Sequence, residues 1–378
     1  MEKFLPEICT IQYGFPFDSA KFSTSEGMPL IRIRDVVRGY SETFTTEEYK
    51  KEYVVNKDDL LIGMDGEFNI AKWGETPALL NQRVCRLIPT PEVDKNYLFY
   101  FMPNALKRIE EKTPFVTVKH LSAKELNKVK VPLPPLEEQR RIAAVLDKVS
   151  ELIAKRQAQL DKLDLLVKAR FVEMFGDPVL NPMKWPEQSL ENMADIVSGI
   201  TKGRKTKEIE LMEVPYMAVS NVKDGYIDWT TVKTILATKA EIEQYRLLPD
   251  DVLMTEGGDP DKLGRGAIIR QPLENCIHQN HIFRVRLDES VLLPSYFAEF
   301  LQHQKAKQYF LKCAKQTTGI ASINMRQLKG LPILVPSQEI QLKFANFVRR
   351  VDQSKLTIQQ SLDKLKVLKK ALMQQYFG

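Results

Sequence analysis

The chain has 378 residues, 43% of them hydrophobic and 28% charged, with a formal net charge of +6; this suffices for two ordinary cores and is too much for one compact domain to be the default. Cys9, Cys85, Cys276 and Cys313 stand far apart without a CxxC pair, so neither a disulfide framework nor a cysteine-ligated zinc site is suggested and a reducing cytoplasm fits best. No basic start leads into an apolar run, and nowhere do about eighteen apolar residues run uninterrupted, which predicts a soluble intracellular protein without signal peptide or membrane span.

In chain order, short alternating strands are predicted over residues 30–36 and 84–88 among Gly and Pro turns, and a helix over 97–111. Pro132, Pro134 and Pro135 then break the chain. From Glu137 the apolar residues Ile142, Val145, Val149, Leu152, Leu160, Leu163, Val167 and Met174 keep to spacings of three and four, apart from one gap filled by Arg156. The second half repeats the order: strands over 216–219 and 281–287, a helix over 295–313, breaks at Pro332 and Pro336, then a seam of Phe344, Phe347, Val351, Ile358, Leu362, Leu365, Leu372 and Tyr376.

The repetition is literal. Shifted by 202 positions, residues 126–176 lie over 328–378 without a gap, and sixteen of the fifty-one pairs are identical, including Leu160-Asp161-Lys162-Leu163 over Leu362-Asp363-Lys364-Leu365. Upstream the likeness is weaker: Asp58-Asp59-Leu60-Leu61 matches Asp250-Asp251-Val252-Leu253, residues 81–86 match 279–284, and Gly39-Tyr40 matches Gly225-Tyr226. The expected architecture is α+β with a pseudo-two-fold internal repeat: a globular domain over 1–134, a helix over 135–176, a second domain over 177–335 and a second helix over 336–378. At ~1.5 Å per residue some 38 helical residues make a rod of roughly 57 Å, too long for one small domain to cover. The two helices are therefore expected to pair as an antiparallel coiled coil through Ile142, Val145, Val149, Leu152, Leu160, Leu163, Phe347, Val351, Ile358, Leu362 and Leu365, with the domains at opposite ends. The symmetry is approximate, since Lys369 stands where the first copy has Val167, and Arg156 and Arg170 oppose Ile358 and Leu372.

A self-sufficient active site is not recognisable. There is no Asn/Asp-Pro-Pro-aromatic motif for amino methylation of a base and no glycine-rich cofactor loop after a strand. Residues 199–206 imitate a phosphate loop, but the gap is one residue short and Arg204 stands where the Lys belongs, so they read as a basic turn. His278 and His281 lack a further ligand at metal spacing, and no metal is expected. No catalytic residue is assigned.

The run Val131-Pro132-Leu133-Pro134-Pro135-Leu136-Glu137-Glu138-Gln139-Arg140-Arg141-Ile142, the helix after it, and Phe175-Gly176-Asp177-Pro178 followed by Asn181-Pro182 and Trp185-Pro186 resemble the specificity subunits of type I restriction-modification enzymes; Leu334-Val335-Pro336-Ser337-Gln338-Glu339-Ile340-Gln341 is a looser version of the same run. The resemblance implies a non-catalytic, cytoplasmic subunit. Two target-recognition domains would each read one half of an interrupted site in double-stranded DNA, and the helices would dock two methyltransferase subunits. Adenine methylation with S-adenosylmethionine, and cleavage driven by ATP and Mg through restriction subunits, would belong to the partners. A non-enzymatic coiled-coil scaffold, or the recognition part of another restriction enzyme class, are the alternative readings.

Sequence readout needs polar side chains on exposed loops with cations nearby for phosphates. In the first domain the candidates are Arg32, Arg34, Asp35, Arg38, Asp65, Asn69, Asn81, Gln82, Arg83, Thr117, Lys119 and His120. In the second they are Lys202, Arg204, Lys205, Ser220, Asn221, Lys223, Glu256, Gln279, Asn280, His281, Thr317, Thr318, Ser322 and Asn324.

Overall fold

The computed structural model describes every residue except 75, 114–118, 205–209, 259–262 and 318–319, with residues 315–317 and 320 described by their backbone alone. The chain forms two compact units, Met1–Gln157 with Gln360–Gly378, and Ala158–Gln359. Each contains a globular part and one half of each long helix.

In the first unit the central sheet has four antiparallel strands in the order Cys9–Tyr13, Val84–Pro89, Leu60–Gly63 and Asn69–Lys72. The Leu60-Leu61-Ile62 run is apolar on both faces because it is covered on both, and all three side chains are fully buried. The helix Lys95–Lys112 begins where the Asp94 carboxylate accepts the backbone N–H groups of Asn96 and Tyr97, and it buries Tyr97, Leu98, Phe101, Met102 and Leu106. A second, five-stranded sheet contains Met28–Ile31 parallel to Ala78–Leu80.

The second unit repeats the four-stranded order with Ala194–Ser198, Ile282–Leu287, Val252–Thr255 and Gly266–Ile268. The register repeats as well: Leu61 lies opposite Arg86, and Leu253 opposite Arg284. Each unit also has a two-stranded junction ribbon, Glu2–Phe4 with Lys130–Pro132 and Glu187–Ser189 with Pro332–Leu334.

Three sequence expectations are corrected. The strand expected over 30–36 stops at Ile31, and Ile33–Arg38 is a helix, because Asp35 accepts the Arg32 backbone N–H at 2.9 Å and closes the first turn. Residues 216–219 divide between the strand Met212–Met217 and the 3-10 turn Val219–Asn221, closed in the same way by Asn221. The helix expected over 295–313 is two helices, Pro294–Phe300 and Gln304–Cys313.

The long helices span Leu136–Phe175 and Gln338–Phe377, 40 residues each. In the first unit Ile142, Ala143 and Leu146 share a core with Leu372, Met373, Tyr376 and Phe377. In the second, Val167, Phe171 and Phe175 pack with Phe344, Val348 and Val351, the Phe171 and Phe344 ring centres 5.5 Å apart. Asp164 pairs with Lys355 in that unit, so residue numbers rise along one helix as they fall along the other, and the pairing is antiparallel. The expected seam residues are all withdrawn from solvent, wholly at Ile142, Val149, Val351 and Leu362 and partly at Val145, Leu152, Leu160, Leu163, Phe347, Ile358 and Leu365. Among the described residues no helix is long and apolar enough to cross a membrane.

Candidate nucleic-acid interface

In the first unit the strand Leu60–Gly63 leaves its sheet at Met64-Asp65-Gly66, where three segments meet. Met64 donates its N–H to Arg83 O at 2.9 Å, Leu121 donates to Met64 O at 2.7 Å, and Gly66 donates to Lys119 O at 2.9 Å. Arg83 occupies the left-handed region, φ 70, which turns the chain back into Val84–Pro89. Its guanidinium lies 3.3 Å from the Asp65 carboxylate, and His120 Nδ1 lies 2.5 Å from the same oxygen. Arg83 and His120 remain 53% and 47% exposed. A solvated ion pair of this kind adds at most ~1 kcal/mol to stability, but it fixes the direction of an exposed guanidinium, the group that reads guanine edges best.

The second unit builds the same junction with other residues. Glu256 donates its N–H to His281 O at 3.0 Å, and Ile323 donates to Glu256 O at 2.8 Å. His281, 57% exposed, has Nδ1 2.6 Å from the Glu256 carboxylate, and Asn280 Nδ2 stands 3.4 Å from its Nε2. By backbone pairing Glu256 takes the place of Met64 and His281 that of Arg83. The carboxylate therefore comes from neighbouring positions in the two units yet meets the basic side chain at the same turn.

Both turns are braced from behind by a glycine crossing. A Cβ on Gly14 would lie 2.0 Å from Asn81 O, and one on Gly199 2.0 Å from His278 O. The crossing lets Gln82 donate to Phe15 O at 2.9 Å and Asn280 donate to Ile200 O at 3.0 Å. Neither glycine was singled out as a site residue in the sequence, since the partner carbonyl lies tens of residues away.

Not every candidate stands on an exposed loop. Asp35, Asn81 and Asn221 are 1%, 7% and 0% exposed, because their side chains satisfy backbone groups. Asn81 accepts the Gln82 N–H, while Asn221 donates to Asp228 O and Thr231 Oγ1. Arg204 is tied to both oxygens of Glu241 and to Leu236 O, so the basic turn is anchored to the helix Lys239–Tyr245. The Glu241 hydrogen bonds hold the Arg204 guanidinium above its usual pKa and the Glu241 carboxyl below its own. Lys119 donates to Glu110 O at 2.9 Å, Gln279 accepts the Val219 N–H, and Asn324 caps Met325–Lys329. Asn69 donates to Glu67 O beside Gly63. Arg32, Arg34, Arg38, Gln82, Lys202 and Ser220 are exposed, Lys223 and Ser322 half-buried. Thr317 lies in the strand Lys315–Thr317; Thr117, Lys205 and Thr318 lie outside the described residues.

Buried chemistry is closed off from this surface. Burial pushes the Cys9, Cys85 and Cys276 thiols up to about 12. His278 is fully buried with Nδ1 3.0 Å from Tyr245 O, and desolvation holds its pKa down at about 4, so it does not join His281 as a ligand pair. Among the described residues no three His, Cys, Asp or Glu side chains cluster to hold a metal.

Comparison with known proteins matches residues 1–163 and 182–368 to the family model described as type I restriction modification DNA specificity domain. The EcoBI specificity subunit of Escherichia coli is 27% identical over 376 residues, covering 92% of this chain and 78% of the relative. The EcoKI specificity subunit of Escherichia coli (strain K12) is 22% identical over 351 residues, covering 86% and 75%. The crystal structure of a type I restriction-modification system S subunit from M. genitalium superposes with a TM-score of 0.61 at 15% identity, covering 99% of this chain and 94% of that one. A chain from a structure addressing complex assembly and conformational transition of the type I R-M system gives 0.54 at 18% identity, covering 100% and 97%. At these identities the solved structures establish a shared fold.

Proposed function

Because the chain belongs to the family defined by the type I restriction modification DNA specificity domain, we propose that it is the non-catalytic subunit that reads DNA for a type I restriction-modification enzyme. Each globular part reads one half of an interrupted site. The observation that carries this reading is the matched turn: Asp65 orienting Arg83 in one unit and Glu256 orienting His281 in the other. Different side chains on one backbone frame are what two readers of different half-sites need.

The long helices dock two copies of a methyltransferase subunit. Supporting this, Leu165 and Leu166 are 64% and 46% exposed, and Val367 and Leu368, 202 positions later, are 69% and 46% exposed. Large apolar side chains repeated at equivalent places suit one partner surface used twice. The partners supply S-adenosylmethionine chemistry, and restriction subunits add ATP and Mg-dependent cleavage. The complex works in the cytoplasm.

The test measures sequence-selective retention of duplex DNA by the chain alone and with its methyltransferase, alongside gel-filtration mass. Selective retention that becomes tight with two bound methyltransferases is expected, since a +6 chain engages few phosphates unaided. No selectivity under either condition would make the chain a coiled-coil scaffold. The variants Leu165→Lys and Val367→Lys should each remove one methyltransferase.

A further inference from the structure

Each unit fastens its long helix to its globular part by the same buried carboxamide. Gln139, in the first turn of Leu136–Phe175, accepts the Asp94 backbone N–H at 2.9 Å and donates to Glu92 O at 3.1 Å and Pro134 O at 2.9 Å. Gln341, in the first turn of Gln338–Phe377, accepts the Leu293 N–H at 2.8 Å and donates to Val291 O at 3.0 Å and Pro336 O at 2.8 Å. Asp94 and Leu293 are the residues that open the helices Lys95–Lys112 and Pro294–Phe300. The two glutamines are 1% and 0% exposed. A hydroxyl bond completes each joint: Tyr97 donates to Pro132 O and Tyr296 to Leu334 O, both at 2.8 Å.

A carboxamide can accept one bond and donate two in a single plane, which Leu, Met or Glu cannot do. Apolar packing would hold the same surfaces together but would tolerate rotation. A buried and fully satisfied polar network permits one orientation. The geometry has leverage: at ~1.5 Å per residue, a tilt of about 10° at the first turn moves backbone about twenty residues on by ~5 Å, more than one base-pair step of ~3.4 Å.

We propose that Gln139 and Gln341 are positioning residues that set the angle between each reader and its helix, and thereby hold the unread gap between half-sites to a single length. The inference rests on the DNA-reading function proposed above. In the intact complex, methylated sites are mapped for wild type, Gln139→Leu and Tyr97→Phe, with Leu126→Ala as a control that weakens the same core without removing any of the joint's hydrogen bonds. Wild type is expected to methylate one gap length. Gln139→Leu should raise the fraction of methylation at gaps one base pair longer or shorter several-fold with both half-site sequences kept, and Tyr97→Phe should do so more weakly. Leu126→Ala should lower activity without broadening the gap. If Gln139→Leu does not fold, Tyr97→Phe decides. An unbroadened gap in the folded variants, or equal broadening by Leu126→Ala, overturns the inference while leaving the reading function intact; a wild-type complex without half-site selectivity would instead overturn that function.

Discussion

The ammonium of Lys369 lies 5.7 Å from the centre of the Tyr100 ring, where the first copy of the repeat carries Val167 at the corresponding position. Tyr100 in turn donates its hydroxyl to Asp147 at 2.7 Å. Burial holds Lys369 below the usual lysine pKa, outweighing the attraction of Asp147. The charged form is therefore disfavoured by folding, and stability should rise as pH climbs into the lysine range. Replacing the charge with a chain of similar length, Lys369→Met, is expected to stabilise the first unit by about 0.5 kcal/mol, the lost cation–π contact offsetting part of the gain. A urea midpoint that falls would show that the contact outweighs the burial.

Asp65→Asn should free Arg83 and His120 with little effect on stability, since both are about half exposed. The expected loss is in discrimination at one base position of one half-site, of order 1–3 kcal/mol, and Glu256→Gln should do the same for the other half-site only. Competition binding with single-base variants of the site checks both, and loss of binding spread evenly over all positions would mean that the clusters serve phosphates instead.

Gly14→Ala places a methyl 2.0 Å from a backbone carbonyl, which cannot be relieved by a rotamer change. The crossing strand must shift, with an expected cost of about 1–3 kcal/mol. Gly199→Ala should behave alike in the second unit. Thermal melts followed by half-site mapping would report a defect confined to the half read by the altered unit; wild-type melting would mean that the crossing yields easily.

His278 binds its proton near pH 6.5 in the unfolded chain but only at about 4 when folded. Between those values the unfolded state holds more protons, so the stability contributed by neutral His278 is complete above about pH 6.5 and is lost as pH falls toward 4, by up to about 3 kcal/mol. His278→Gln should flatten that part of the pH profile. Equal slopes for the two proteins between pH 7 and 5 would assign the acid sensitivity elsewhere.

The helices and the repeat were legible because they are local: apolar spacings of three and four without Gly or Pro extend over many turns, and the copies align without a gap. The sheet order was not, since strands of three to six residues are paired by contacts far apart in sequence, such as Arg86 opposite Leu61. Among polar residues the sequence does not distinguish a side chain aimed at solvent from one folded back on its own turn. Asp35 and Arg83 looked alike as candidate readers, but the first closes a helix and the second stands exposed. Gln139 lay in plain sight within the proline-rich run, yet its partners Glu92 and Asp94 lie more than forty residues upstream, and their role emerges only with the fold.

The interleaving of the two units has a consequence for biosynthesis. Residues 158–359 form one uninterrupted unit, whereas the first unit must wait for residues 360–378. During translation the first reader emerges early but lacks Phe377, whose ring packs 5.3 Å from Tyr97 and 6.0 Å from Phe101. The reader made second is thus the first to have all its parts, and the one made first stays open along the face of Ile142 and Leu146 until synthesis reaches the last helix. In that interval the nascent chain leaves the apolar face of Ile142 and Leu146 uncovered by Leu372, Met373 and Phe377 and so open to chaperones and proteases, and a frameshift just after residue 359 would damage the earlier-made reader while sparing the later one.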